Sequence, residues 1–155
     1  MKISYTLNGQ KVTDEVNPAQ PLTEYLRSRG CYSVKRGCET ANCGLCTVLV
    51  DGRPVLSCST LTARIDGKVV ETMEGLQSEA AEIGTYLADE GAEQCGFCSP
   101  GLILSVLAMA RELQNPTDDE IRHYLAGNLC RCTGYQGQLR AIRRYLTERK
   151  EASRA

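Results

Sequence analysis

No stretch of the 155 residues approaches the about 18 consecutive apolar positions of a membrane-spanning helix. The opening MKISYTLNGQ alternates apolar and polar residues and lacks a cationic start leading into an apolar run, so no secretory signal is visible. Both absences predict a soluble, cytoplasmic chain without a membrane partner. An excess of charge is missing too: 18 basic residues against 19 acidic leave a net charge of −1, which gives no electrostatic case for nucleic acid or an anionic membrane. There is no glycine-rich dinucleotide fingerprint, no acid–base pair around a pocket signal and no nucleophile constellation. The single histidine, His123, reads as a polar residue on a helix surface. Internal repeats and low-complexity segments are also absent.

What the chain has in excess is cysteine, nine in all. Eight fall into two unlike quartets: Cys38, Cys43, Cys46 and Cys58, then Cys95, Cys98, Cys130 and Cys132. The first begins C-x4-C-x2-C, the opening used by plant-type ferredoxins to place thiolates around two irons. The second joins C-x2-C to a distant C-x-C, so two chain segments must come together. Each quartet can hold one iron–sulfur cluster. A disulfide scaffold fits poorly, because the count is odd and a chain of this length can build a core without staples. Structural zinc is a closer rival through the two CxxC pairs. Yet 48 residues separate Cys46 from Cys95, beyond the roughly 15–20 of a zinc ribbon, and C-x-C is unusual for a zinc knuckle.

The hydrophobic period changes midway and predicts two domains. Ile3, Tyr5 and Leu7 alternate with polar residues, Asn8–Gly9 offers a type I′ turn, and the alternation resumes from Val12 to Val16, a hairpin. Pro21 opens a short helix through Leu22, Tyr25 and Leu26 that ends at Gly30. Thr47 to Val50, Asp51–Gly52 and Arg53 to Leu56 make a second hairpin, with a last strand from Lys68 to Thr72. From Gln77 the signal is helical. A first helix spans 77–90; Ser99 as N-cap and Pro100 at the first helical position open a second. Thr117 and Glu120 form a capping box for a third helix that stops at Gly127. A fourth starts near Gly137. The expected division is residues 1–75, a small mixed sheet crossed by one helix; 76–150, four helices; and 151–155, a tail.

On this map Gly37 and Gly44 let backbone N–H groups approach the sulfurs of the first quartet. Cys98 lies before the Pro100 helix and Cys132 before the last one, so helix N-termini would favour added negative charge there. Arg131 would act in the same sense if it faced inward and would be solvated if it did not. Two clusters on one chain suggest an electron relay.

Three segments carry a family resemblance: GCETANCGLCTVLVDGRPVLSC, QCGFCSPG and GNLCRCTGYQ. They resemble the iron–sulfur subunit of the molybdenum hydroxylases, the xanthine dehydrogenase family, over about residues 2–147. The resemblance implies an α+β chain with an N-terminal β-grasp, plant-ferredoxin-like domain holding one [2Fe-2S] cluster and an all-α four-helix-bundle domain holding another. It further implies a molybdopterin-binding large subunit that Cys132 and the amide of Gln94 approach, and an FAD-binding medium subunit facing the Cys38–Cys58 cluster. Electrons would run from the molybdenum cofactor through the helical cluster and the β-grasp cluster to FAD, during oxidative hydroxylation of a substrate bound elsewhere. A purine such as xanthine is the expected substrate class; nicotinate-like heterocycles, aldehydes, carbon monoxide and aromatic acyl-CoA stay open. A free-standing two-cluster carrier is the rival from another class.

Some positions depart from the family pattern. Cys31 stands outside both quartets and reads either as a reactive thiol or as a small buried hydrophobe. Glu39 to Asn42 replace a more usual glycine-rich stretch. Gly137 and Gln138 stand where a polar residue and an isoleucine are more frequent.

Overall fold

In the computed structural model, which describes residues 1–152 and only the backbone of 150–152, the chain forms one five-stranded mixed sheet and five α-helices. Strands β1 (Lys2–Leu7) and β2 (Gln10–Glu15) pair antiparallel around Asn8 and Gly9, both at positive φ (48° and 82°), the geometry the Asn-Gly turn predicts. Strands β3 (Thr47–Val50) and β4 (Arg53–Leu56) repeat the arrangement around Asp51 and Gly52. Strand β5 (Val69–Glu71) joins the hairpins, parallel to β1 and antiparallel to β3, giving the order β2-β1-β5-β3-β4. Pro54, which cannot donate to a ladder, sits in β4 at the sheet edge.

Helix α1 (Leu22–Ser28) buries Leu22, Tyr25 and Leu26 against Ile3, Tyr5, Val48 and Val70, and the chain leaves it through Gly30 at φ 87°. Three short 3-10 turns, at Ser57–Ser59, Thr62–Ile65 and Met73–Gly75, were not foreseen; none has the repeat length to leave a periodic signal. Cys31 is 4% exposed in this same core, the packing role among its two readings. Burial pushes its thiol pKa up, the reverse of activation.

Helices α2 (Gln77–Asp89), α3 (Ser99–Glu112), α4 (Asp118–Tyr124) and α5 (Gln136–Ala152) make up the second half. Every residue of α3 from Gly101 to Met109 is buried, because α2 and α5 are joined around it by Leu49 of β3. Alternation along β3 thus serves both cores: Val48 faces α1, and Leu49 faces the helices. Helix α3 begins one residue earlier than the sequence predicts. Cys98 takes the cap position, and the Ser99 hydroxyl bonds Glu93 Oε1 at 2.7 Å instead of capping. The Thr117–Glu120 capping box forms as expected. Helix α4 stops at Tyr124, short of the expected Gly127, and α5 continues into the segment expected to be a tail; residues 153–155 lie outside the described residues. No helix among the described residues is long and apolar enough to cross a membrane.

Candidate metal centres

The loop between α1 and β3 carries Cys38, Cys43 and Cys46, and the 3-10 turn after β4 brings Cys58 to them. All four line one cavity of about 380 Å³, together with Lys35 and Arg36. The loop turns back on itself through Glu39 and Ala41, both at positive φ (55° and 59°) despite having side chains. The turn aims the backbone N–H groups of Thr40 and Asn42 at Cys38 Sγ, 3.5 and 3.4 Å away. Those donors lower the Cys38 pKa to about 6, so this thiol is ionised at neutral pH, the form that binds iron. Burial, and then its contact with Cys46, raises Cys58 to about 11. Cys43 is raised by burial.

In the second half Cys95 and Cys98 stand on the loop before α3, with Cys98 at the helix cap; Cys130 and Cys132 come from the segment before α5. Thr133, Gly134 and Tyr135 separate Cys132 from the start of α5 at Gln136, the last two at positive φ (66° and 69°). Of these two helices, only α3 carries a quartet cysteine at its cap. The Cys95 and Cys132 sulfurs are 3.5 Å apart and both residues are exposed. Contact with Cys95 raises the Cys132 pKa. Burial, then the Cys130 thiol, raises Cys98 to about 11. At Cys130 burial works against ionisation, but the Thr133 hydroxyl, donating at 3.2 Å, and nearby backbone N–H groups outweigh it and lower the pKa. Gln138 also reaches this quartet, its Nε2 lying 3.9 Å from Cys98 Sγ.

All nine cysteines are free, and the quartet thiols meet two by two: Cys38 with Cys43, Cys46 with Cys58, Cys98 with Cys130 and Cys95 with Cys132. Among the described residues no three His, Cys, Asp or Glu side chains converge as they would on a single ion. Free thiols here occupy the places of the thiolates that would hold metal. Two thiolates for each of two irons is the donor set of an all-cysteine [2Fe-2S] cluster, so the residues present fit that group.

The quartets adjoin. Cys43 O accepts a 2.8 Å hydrogen bond from the N–H of Leu129, the residue before Cys130. Glycine makes this approach possible: a Cβ on Gly44 would collide with Gly127 O, and one on Gly101 with Gly44 O. Sequence reasoning singled out Gly44 but not this junction, because the partners lie on segments distant in the chain. It also missed Thr133 and Tyr135 as supports, although both lie in the quoted C-R-C-T-G-Y run; the Tyr135 hydroxyl accepts from Cys130 N at 2.8 Å. Gln94 is exposed beside exposed Cys95, Arg131 faces solvent, and His123 is exposed on α4.

Residues 5–74 match the family described as 2Fe-2S iron-sulfur cluster binding domain, and residues 72–143 match the [2Fe-2S] binding domain family. The xanthine dehydrogenase iron-sulfur-binding subunit of Escherichia coli O157:H7 is 48% identical over 138 residues, covering 86% of this chain and 87% of that protein. The nicotinate dehydrogenase small FeS subunit of Eubacterium barkeri is 39% identical, with 95% of each chain covered. Among solved structures, a chain of quinoline 2-oxidoreductase from Pseudomonas putida 86 superposes with a TM-score of 0.89 at 37% identity, covering 100% of this chain and 98% of that one.

Proposed function

Because this chain belongs to the iron–sulfur subunits of the molybdenum hydroxylase family, the xanthine dehydrogenase family, we propose that it relays electrons from a molybdopterin-binding large subunit to an FAD-binding medium subunit. The observation that carries the reading is the two-by-two meeting of eight thiols in two adjoining quartets. Cys38, Cys43, Cys46 and Cys58 hold one cluster; Cys95, Cys98, Cys130 and Cys132 hold the other. When bound, two [2Fe-2S] clusters supply one-electron redox chemistry, which lets a two-electron oxidation on a partner be discharged in single steps.

The chain's own residues do three things in this reading. Backbone N–H groups of Thr40 and Asn42, and the Thr133 hydroxyl, donate to ligand sulfurs and so stabilise added negative charge. The Leu129 N–H to Cys43 O hydrogen bond joins the quartets by a short route of covalent bonds and one hydrogen bond. Exposed Cys95, Cys132 and Gln94 present the helical quartet to the pterin-bearing partner, Gln94 through its amide. The domain division at 75/76 belongs to the same reading, as do the β-grasp and four-helix-bundle descriptions; the two hydrophobic cores on either side of β3 support it. Placement in the cytoplasm, where thiols stay reduced, belongs to the same reading. A purine such as xanthine is the substrate we assign to the whole enzyme, supported by the 48% identity to a xanthine dehydrogenase subunit.

Iron and acid-labile sulfide analysis of the anaerobically purified chain, with EPR after dithionite reduction, tests the cluster content. Four irons, four sulfides and two distinct spin-half signals are expected; zinc without sulfide would overturn the reading. Copurification tests the role: a stable complex with a flavin chain and a larger molybdenum chain is expected, and a monomer that reduces partners only in passing would make it a carrier. Cys43→Ser in the complex should block electron delivery to flavin while molybdenum is still reduced by substrate.

A further inference from the structure

Gln138, in the first turn of α5, is 4% exposed, and the two ends of its amide meet different fates. Nε2 lies 3.9 Å from Cys98 Sγ. Oε1 is buried without a hydrogen-bond partner. The side chain lines a largely apolar cavity of about 430 Å³ with Leu102, Ile121, Leu139 and Ile142. A buried unpaired amide carbonyl is costly, and an apolar side chain would pack against these neighbours without that cost. What the amide adds is its N–H end. The orientation follows from the chemistry, since the reverse would set a carbonyl oxygen against an electron-rich sulfur. The 3.9 Å distance is to a free cysteine, and a thiol is a weak acceptor; a thiolate ligand is a stronger one and would draw the donor in.

We propose that Gln138 is a positioning residue of the helical quartet, whose N–H donates to the Cys98 sulfur and raises the reduction potential of the cluster held there. The inference rests on the reading of Cys95, Cys98, Cys130 and Cys132 as ligands of one [2Fe-2S] cluster. Reduction adds one electron, and therefore negative charge, that the four sulfurs share. A hydrogen bond to one of them stabilises the reduced form more than the oxidised form, and the amide keeps its protons throughout. Burial strengthens the effect, because little water competes for or screens the contact. Cys98 is also the N-cap residue of α3 but its side chain makes no cap hydrogen bond, which leaves the Gln138 amide as the side-chain N–H donor to its sulfur.

The test is an EPR-monitored redox titration of the complex carrying Gln138→Met, which keeps the length without the donor, and Gln138→Leu as a second variant. The helical-quartet signal is assigned as the one lost in Cys130→Ser. In at least one Gln138 variant its reduced-to-oxidised ratio at a fixed potential should fall several-fold; a tenfold fall is about 59 mV for one electron. The signal of the Cys38–Cys58 quartet should not move. Unchanged midpoints in both variants, or equal shifts of both signals, would overturn the proposal. A wild-type complex with no signal sensitive to Cys130→Ser would instead overturn the ligand reading beneath it.

Discussion

Gly44→Ala tests the junction on which the relay depends. Gly44 has φ 70°, and its Cβ position is filled by Gly127 O, with Asn128 Nδ2 2.9 Å away. Alanine there incurs about 1–2 kcal/mol for a left-handed backbone. Pushing apart packed backbone adds about 1–3 kcal/mol, and loosening the Leu129 to Cys43 hydrogen bond adds about 1 kcal/mol. The expected total is about 3–6 kcal/mol. Gly67→Ala is the internal control: its φ is 72°, but nothing lies within 4 Å of its Cβ position. It should lose only the backbone component, about 1–2 kcal/mol. Anaerobic denaturant unfolding of the full chain measures both, and rapid-mixing reduction of the complex measures transfer between quartets, which should slow in Gly44→Ala alone. If the two variants were equally stable and transferred electrons equally fast, the close approach would not hold the quartets together.

A pH effect is expected at Glu74, whose carboxylate accepts from Ser33 N at 2.8 Å and from the Ser33 and Thr72 hydroxyls at 2.6 Å. Burial opposes ionisation there, but these donors prevail and hold its pKa below the ordinary 4.5. The folded pKa lies below the unfolded one, so the contribution is present above about pH 4.5 and is lost as the pH falls through the folded value. Glu74→Gln should be less stable at pH 7 and show a flatter acid limb in unfolding titrations; an unchanged limb would remove Glu74 as the cause. Ala41→Gly, which relieves a side chain held at φ 59°, should raise the unfolding midpoint by a stability gain of about 1 kcal/mol; a loss would mean that the alanine methyl packs in the loop.

Local chemistry explains what the sequence disclosed. Asn8–Gly9 and Asp51–Gly52 dictate their hairpins because a type I′ turn needs two positive φ values, and the Thr117–Glu120 box is complete within four residues. The quartets were legible because cysteines able to share a metal centre stand out by their spacing. The start of α3 was misread by one residue: Ser99 is a good cap by type, but the Glu93 carboxylate engages its hydroxyl and Cys98 takes the cap position.

By itself the sequence determined which residue types could hold metal, how many strands and helices form, and, through three cysteine-bearing segments, the family. Tertiary structure alone decided which thiols meet in twos, since Cys95 and Cys132 are joined only when the segments before α3 and α5 are brought together by the core those helices share with α2. It also decided that β3 serves two cores through Val48 and Leu49, and that Leu129 reaches Cys43 across glycines distant in the chain. Spacing and periodicity record neighbours within a few residues; contacts between segments depend on packing, which no local pattern encodes.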